Sequence, residues 1–321
     1  MSSRTIPDAD DLIIVNEPVT VPGTSSPEAG ARSTKTKRLR RRPIGGALVT
    51  LATLSTIAGL ALWFVFHALV LTALEERGDQ ARLYAEFREK LAQATAPLGG
   101  NIKRGSSVAL LDADIDGLRN VVVVEGTTSR ELTRGPGHRR DTALPGQPGD
   151  SVIFGRSATY GGPLRSITSL TAGDTITATT AQGVFRYRVD RVRRSGDVIP
   201  GLVQGASRLT LVTSESSGWR SGWAPDHLVY VDALLDPTQV KPAPSGRPTR
   251  IERASEPMRG DTGGLIPLIF WLQGFVAVSI GLVWAWRRWG RWQTWLAGAP
   301  LGIAVLWGTS GAVVRLLPNL I

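Results

Sequence analysis

Residues 170–194, LTAGDTITATTAQGVFRYRVDRVRR, set two β-rich runs, Thr175–Thr180 and Val184–Val192, behind the turn signals Ala172-Gly173-Asp174 and Gln182-Gly183. Thr, Ile, Val, Phe and Tyr suit a pleated, half-buried surface, and Gly with Asp suits the bends between strands. The pattern repeats on both sides. Upstream lie Ser107–Leu111, Asn120–Glu125 and Asp150–Phe154, the last entered through Pro145-Gly146-Gln147-Pro148-Gly149. Downstream lie Leu209–Thr213 and Leu228–Leu234. Many short strands with turn residues between them predict a compact β-barrel or sandwich over residues 98–235.

Outside this region the chain changes character. Residues 44–74 contain no Lys, Arg, Asp or Glu and exceed the roughly 20 apolar residues that a helix needs to cross a bilayer. The run begins too deep in the chain, and is too long, for a cleaved signal peptide. Two further spans are predicted at 264–286 and 295–317, the second with Arg315 near its end, where a long side chain reaches the interface. Arg32, Lys35, Lys37, Arg38, Arg40, Arg41 and Arg42 precede the first span, and Arg287, Arg288 and Arg291 lie in the expected loop at 287–294. The positive-inside bias puts both groups in the cytoplasm and residues 75–263 outside, in an organism with an exported membrane face. Trp284, Trp286, Trp289, Trp292 and Trp295 form the matching interfacial belt. Residues 1–43 read as a disordered basic tail and 236–263 as a Pro/Arg-rich linker. Residues 75–97 carry Leu83, Tyr84, Phe87 and Leu91 near helical spacing and read as a juxtamembrane stalk helix. In the third span Gly298, Gly302, Gly308 and Ala312 form a small-residue packing face.

Composition narrows the chemistry. The 321 residues hold 37 Lys+Arg against 27 Asp+Glu, a net charge of +10, but the excess sits beside the spans and so points to membrane rather than nucleic acid. There is no cysteine, which excludes disulfides, thiolate metal sites and a cysteine nucleophile. With three histidines, His67, His138 and His227, and no acidic cluster, no metal or other cofactor is implied. His138 in its Gly-Pro-Gly-His turn reads as structural, and His67, inside the first span, as facing protein or the interface.

Several segments in fixed order resemble a sortase domain, closest to class E of actinobacteria. They are VVVVEG at 121–126, LTRGPGH at 132–138, TALPGQPG at 142–149, VIFGRSATYGGPL at 152–164, LTAGDTI at 170–176 and RLTLVTS at 208–214. The resemblance covers roughly residues 106–235 and implies an eight-stranded sortase barrel. Sortases use a Cys, a His and an Arg to cut a sorting signal and join its new carboxyl end to an amine. In this sequence Ser214 stands at the position that resembles the Cys, Arg156 at that of the His, and His227 at that of the Arg. The resemblance therefore implies a retained scaffold with its catalytic set replaced.

Two readings of those three positions stay open. Ser214 could act as a nucleophile if His227 lay within hydrogen-bond reach as its base and Arg156 served as oxyanion donor, since a guanidinium itself cannot accept the proton. Alternatively Ser214 only fills space, Arg156 pairs with Asp226 or Glu215, and His227 is a surface residue. Trp219, Arg220 and Trp223, with Tyr160, read as a binding surface for peptide or glycan, or as a cover over the cleft. The expectation is a mainly β, sortase-like closed barrel on the exported side of the plasma membrane, flanked by one N-terminal and two C-terminal transmembrane helices. Its expected work is non-enzymatic, binding an exported peptide or an envelope membrane protein, or scaffolding an envelope complex. The rivals are a serine-dependent transpeptidase or hydrolase and a three-span subunit of an envelope complex.

Overall fold

The computed structural model describes residues 44–215 and 227–321. The chain divides into two compact units, Met1–Leu51 and Ala52–Ile321. Of the first, only the opening of helix α1 (Ile44–Phe66) is described, with Leu48 and Leu51 exposed. The basic tail lies outside the described residues.

In the second unit eight strands close a barrel in the order β1-β2-β3-β4-β7-β8-β6-β5. They are β1 (Ser107–Ala113), β2 (Val121–Glu125), β3 (Gly137–His138), β4 (Gly149–Phe154), β5 (Thr175–Thr180), β6 (Gly183–Arg194), β7 (Ser207–Glu215) and β8 (His227–Leu235). Seven of these coincide with the predicted runs to within two residues at either end. The eighth, β3, is a two-residue strand in the Gly-Pro-Gly-His segment. The expected β-barrel is found, closed rather than a sandwich. Its interior is filled by inward residues of every long strand, among them Leu111, Val123, Ile153, Ile176, Phe185, Tyr187, Leu211 and Val231, all buried. The Tyr187 hydroxyl stays satisfied in this apolar core by the Gly146 N–H at 2.6 Å and Ser207 Oγ at 3.0 Å.

Among the described residues three helices are long and apolar enough to cross a membrane. The first continues from α1 through a π-helical turn, His67–Leu71, into α2 (Thr72–Ala92). The stalk is thus an extension of the span, and its apolar stripe packs Leu83 and Phe87 against Val122 and Val124 on the outside of β2. Because β3 is so short, β2 has unpaired main-chain groups, and Gln80 caps them. It accepts from the Val122 N–H at 2.8 Å and donates to Val122 O and Arg134 O at 3.1 and 2.7 Å.

Helices α3 (Leu265–Trp289) and α4 (Arg291–Leu316) meet at Gly290, whose φ of 97° is one that glycine adopts without a steric cost. The expected loop at 287–294 is thereby reduced to one residue. Gly298 lies against Leu282 and Gly308 against Trp271, so α3 takes up part of the small-residue stripe, while the Cβ direction of Gly302 is open. α4 also meets the first span, with Trp63 Nε1 donating to Ser310 Oγ at 3.2 Å and the His67 ring edge-on to Trp307. The 236–263 linker is laid against the barrel rather than left loose. Arg247 has a largely covered side chain and donates to Glu125, Thr142 O and Gly100 O, and Ser255 O accepts from Thr127 Oγ1.

Candidate functional site

The site forms where β4 and β7 run out together. These strands are parallel, with Phe154 opposite Val212, so both finish at the same side of the barrel. The Gly155 N–H donates to Val212 O at 2.9 Å and Thr213 Oγ1 donates to Gly155 O at 3.0 Å. Those two bonds fix Gly155-Arg156-Ser157 beside Ser214, whose hydroxyl lies 2.9 Å from Ser157 Oγ. Gly155 is required by space, because a side chain there would meet Leu164.

Arg156 is fully buried, and no Asp or Glu side chain is among its acceptors. Nε donates to Leu132 O at 3.2 Å, Nη1 to Thr159 Oγ1 and Ile321 O at 3.0 Å each, and Nη2 to Ser129 O and Oγ at 3.1 and 2.7 Å. The guanidinium carbon also lies 5.1 Å from the Tyr160 ring centroid. Burial pulls its pKa down to about 10, against an opposing effect of Tyr160, so the group is still a cation at neutral pH. A buried cation of this kind costs several kcal/mol to desolvate, which the five hydrogen bonds and the ring face must offset.

The sequence-predicted residues separate into three sets. Arg156 and Ser214 are brought together, both bonded to the segment that follows α4. Tyr160 is buried with a φ of 49°, in a loop held by its N–H donating to Thr72 Oγ1 at 3.0 Å. It forms a wall behind Arg156. His227 is exposed and pairs across the strands with Glu215, while Ser214 pairs with Leu228. Successive residues of a strand face opposite ways, so His227 is on the other face from the Ser214 hydroxyl. Glu215 pairs with Arg194 at 2.9 Å, not with Arg156. Trp219, Arg220, Trp223 and Asp226 lie outside the described residues.

The chain also brings in residues that motif reading did not single out. Past α4, Leu317 turns extended, as a residue before proline does, and Pro318–Ile321 close a single turn through the Ile321 N–H to Pro318 O at 3.2 Å. Leu320 is buried among Leu132, Phe154 and Val212. Its carbonyl accepts from Ser214 Oγ at 2.7 Å, the Ser157 N–H at 3.1 Å and Ser157 Oγ at 3.2 Å. Asn319 donates through Nδ2 to Thr127 O and Glu256 O at 2.8 and 2.9 Å, and through its N–H to Arg259 O at 3.0 Å. Ile321 O accepts from Arg156 and Thr159. Chemically this is a peptide clamp, with one apolar hole and two main-chain oxygens held by donors. The Ser214 proton is directed at a carbonyl, and among its described partners there is no base to remove it. Among the described residues no cluster of His, Asp and Glu could hold a metal ion.

His138 makes a separate buried network. Its Nδ1 lies 3.0 Å from Glu125 Oε2 and its Nε2 2.8 Å from Ala143 O, with Arg247 on the second Glu125 oxygen. Burial pushes the Glu125 carboxyl up, but His138 and Arg247 outweigh it and hold the pKa below the usual range. This network ties β2 and β3 to the 236–263 segment, a scaffolding role.

Residues 114–229 match the family model of the sortase domain. This stretch is similar to a sortase domain and lies in a closed β-barrel typical of that fold, joined to helices long and apolar enough to cross a membrane. Its structural neighbours are sortases, class E among them. One is a Clostridium perfringens sortase D5 transpeptidase, at 26% identity over 50% of this chain and 99% of that one, TM-score 0.42. Another is sortase E from Streptomyces avermitilis, at 29% identity over 42% and 91%, TM-score 0.35. A third is the Clostridium perfringens sortase C solved with the C-terminal cell wall sorting motif, at 19% identity over 50% and 90%, TM-score 0.37. No curated protein matches the chain.

Proposed function

We propose that the protein is a membrane-anchored, sortase-like pseudoenzyme that holds a peptide in its barrel cleft without cutting it, on the exported side of the plasma membrane. The peptide belongs to an exported protein or to an envelope membrane partner, and the three spans anchor the barrel where such partners pass. One observation carries this reading. The Ser214 hydroxyl donates to a peptide carbonyl, and its other close partner is another hydroxyl, Ser157. A serine becomes nucleophilic only when a base takes its proton, and a buried arginine that stays protonated cannot do so. A cation and hydroxyls aimed at main-chain oxygens are what binding needs. Trp219, Arg220 and Trp223 belong to this proposal as recognition residues.

The test is peptide turnover by the full chain in lipid nanodiscs against a pooled set of sorting-signal peptides, read by mass spectrometry. Alongside it run Ser214→Ala and the combined Arg156→His, Ser214→Cys and His227→Arg variant. Native silence is expected. Native turnover that vanishes in Ser214→Ala would replace this reading with a serine transpeptidase or hydrolase.

A further inference from the structure

The segment Leu317–Ile321 enters the cleft with more specificity than a passing loop requires. Leu320 is fully buried in an apolar cluster with Leu132, Phe154 and Val212, against which Val152, Leu228, Tyr230 and Met258 pack, and Asn319 is equally buried. The Asn319 amide reaches two main-chain oxygens from separate parts of the chain, Thr127 O and Glu256 O. Successive carbonyls, of Leu320 and Ile321, fall on separate sets of donors: Ser157 and Ser214 for the first, Arg156 and Thr159 for the second. At the end of the β4–β7 pair these few residues engage Arg156, Ser157, Thr159 and Ser214. The fully buried Arg156 has one of its five hydrogen bonds on this segment, so an empty cleft would open that donor to solvent or to another peptide.

We infer that the cleft is a peptide-binding site occupied in cis, with the Pro318-Asn319-Leu320 turn as its resident ligand, and that an external peptide binds by exchange with it. The chemical class of that peptide follows from the contacts. It presents a leucine-like side chain to Leu132, Phe154 and Val212, a side-chain amide one residue earlier, and two consecutive main-chain oxygens to Ser214 and Arg156. Since the resident is continuous with α4, whatever moves α4 in the membrane also loads or frees the cleft. The inference rests on the proposed function only in treating the cleft as a peptide site, and it holds whether or not that site also cuts.

A chain without native cysteine makes cis occupancy directly measurable. Full chain carrying Leu132→Cys and Leu320→Cys, kept in its membrane, is treated with a short bismaleimide and digested with trypsin. A covalently linked pair of peptides, one holding position 132 and one position 320, is expected, with none from either single variant. In parallel, a fluorescent peptide LPNLI is titrated onto the intact chain and onto the chain lacking residues 317–321, both in nanodiscs. The intact chain should bind about a hundredfold more weakly, the size a tethered competitor at millimolar effective concentration produces. Failure of the linked product to form would overturn cis occupancy and leave the pseudoenzyme reading standing. A linked product with equal binding by the two chains, or with binding by neither, would overturn exchange. To guard against misfolding of the deletion, Leu320→Asp in the intact chain serves as a second released variant and should bind the peptide as the deletion does. Turnover of sorting-signal peptides would sink the pseudoenzyme reading and leave the linked product untouched.

Discussion

Ser214 Oγ donates to Leu320 O at 2.7 Å, across 106 residues of chain, and so ties the last turn of β7 to the segment after α4. The bond explains how a hydroxyl in this position is used. Its proton is committed to a carbonyl, and its oxygen is in hydrogen-bond range of Ser157. On this account Ser214→Ala removes the bond to Leu320 O and the contact with Ser157 Oγ, together worth about 1–2 kcal/mol. Amide hydrogen exchange at Asn319 and Ile321 should accelerate while exchange in β5 and β6 is unchanged. Equal acceleration throughout the barrel would argue that Ser214 supports the fold and not the segment.

Arg156 is the opposite case. Removing a buried guanidinium strands Leu132 O and Ser129 O and takes one bond each from Ile321 O and the Thr159 hydroxyl, which keep only each other, in a buried site. Arg156→Met is expected to destabilise by about 3 kcal/mol or more, seen as an earlier unfolding midpoint in denaturant. Arg156→Lys should recover little of that loss, since an ammonium supplies three donors without the planar fork that serves three directions here. Near-complete recovery by Lys would show that charge alone matters at this position.

Much of the barrel was legible because its strands are β-rich runs separated by Gly, Pro and Asp, a signal local to each run. β3 was not, since two residues in a Gly-Pro-Gly-His turn carry no pattern. The spans were legible by length and lack of charge, but the reduction of their loop to Gly290 was not, because helix ends depend on a backbone angle rather than on hydropathy. At the site, the resemblance matched Ser214 and Arg156 to two positions of one catalytic set, while the parallel pairing of β4 with β7 that brings them together is visible only in the fold. Which way His227 faces depends on the β7–β8 register, which no motif states. The largest gap was residues 317–321. The predicted span ends at Leu317, and only the fold brings the residues after it to Phe154 and Val212.

The docking of α2 on the barrel rests on a few contacts that can be removed singly. Phe87 is buried against β2, and Phe87→Ala should cost about 3 kcal/mol. Gln80→Ala exposes the unpaired main chain of β2 at Val122 and should cost about 1–2 kcal/mol. Limited proteolysis distinguishes them. Loss of Phe87 should free the 72–92 helix for cutting, whereas loss of Gln80 should open the β2–β3 edge near Arg134.

Acid sensitivity should come from Glu125. Its folded pKa is held below that of the unfolded carboxyl by His138 and Arg247 in spite of burial, so the native state favours the ionised form. The stabilisation is therefore complete above the unfolded pKa of about 4.3 and is lost as pH falls through the lower, folded value. Thermal unfolding of the purified chain should show a midpoint that is steady from neutral pH to about pH 5 and drops below it. Glu125→Gln keeps the shape but leaves the largely covered Arg247 side chain without its counter-charge, and should cost about 3–5 kcal/mol at neutral pH. The same variant should flatten the acid dependence, because the group that titrates is gone. A Glu125→Gln chain that still lost stability as steeply in acid would show that Glu125 is not the group behind the acid sensitivity.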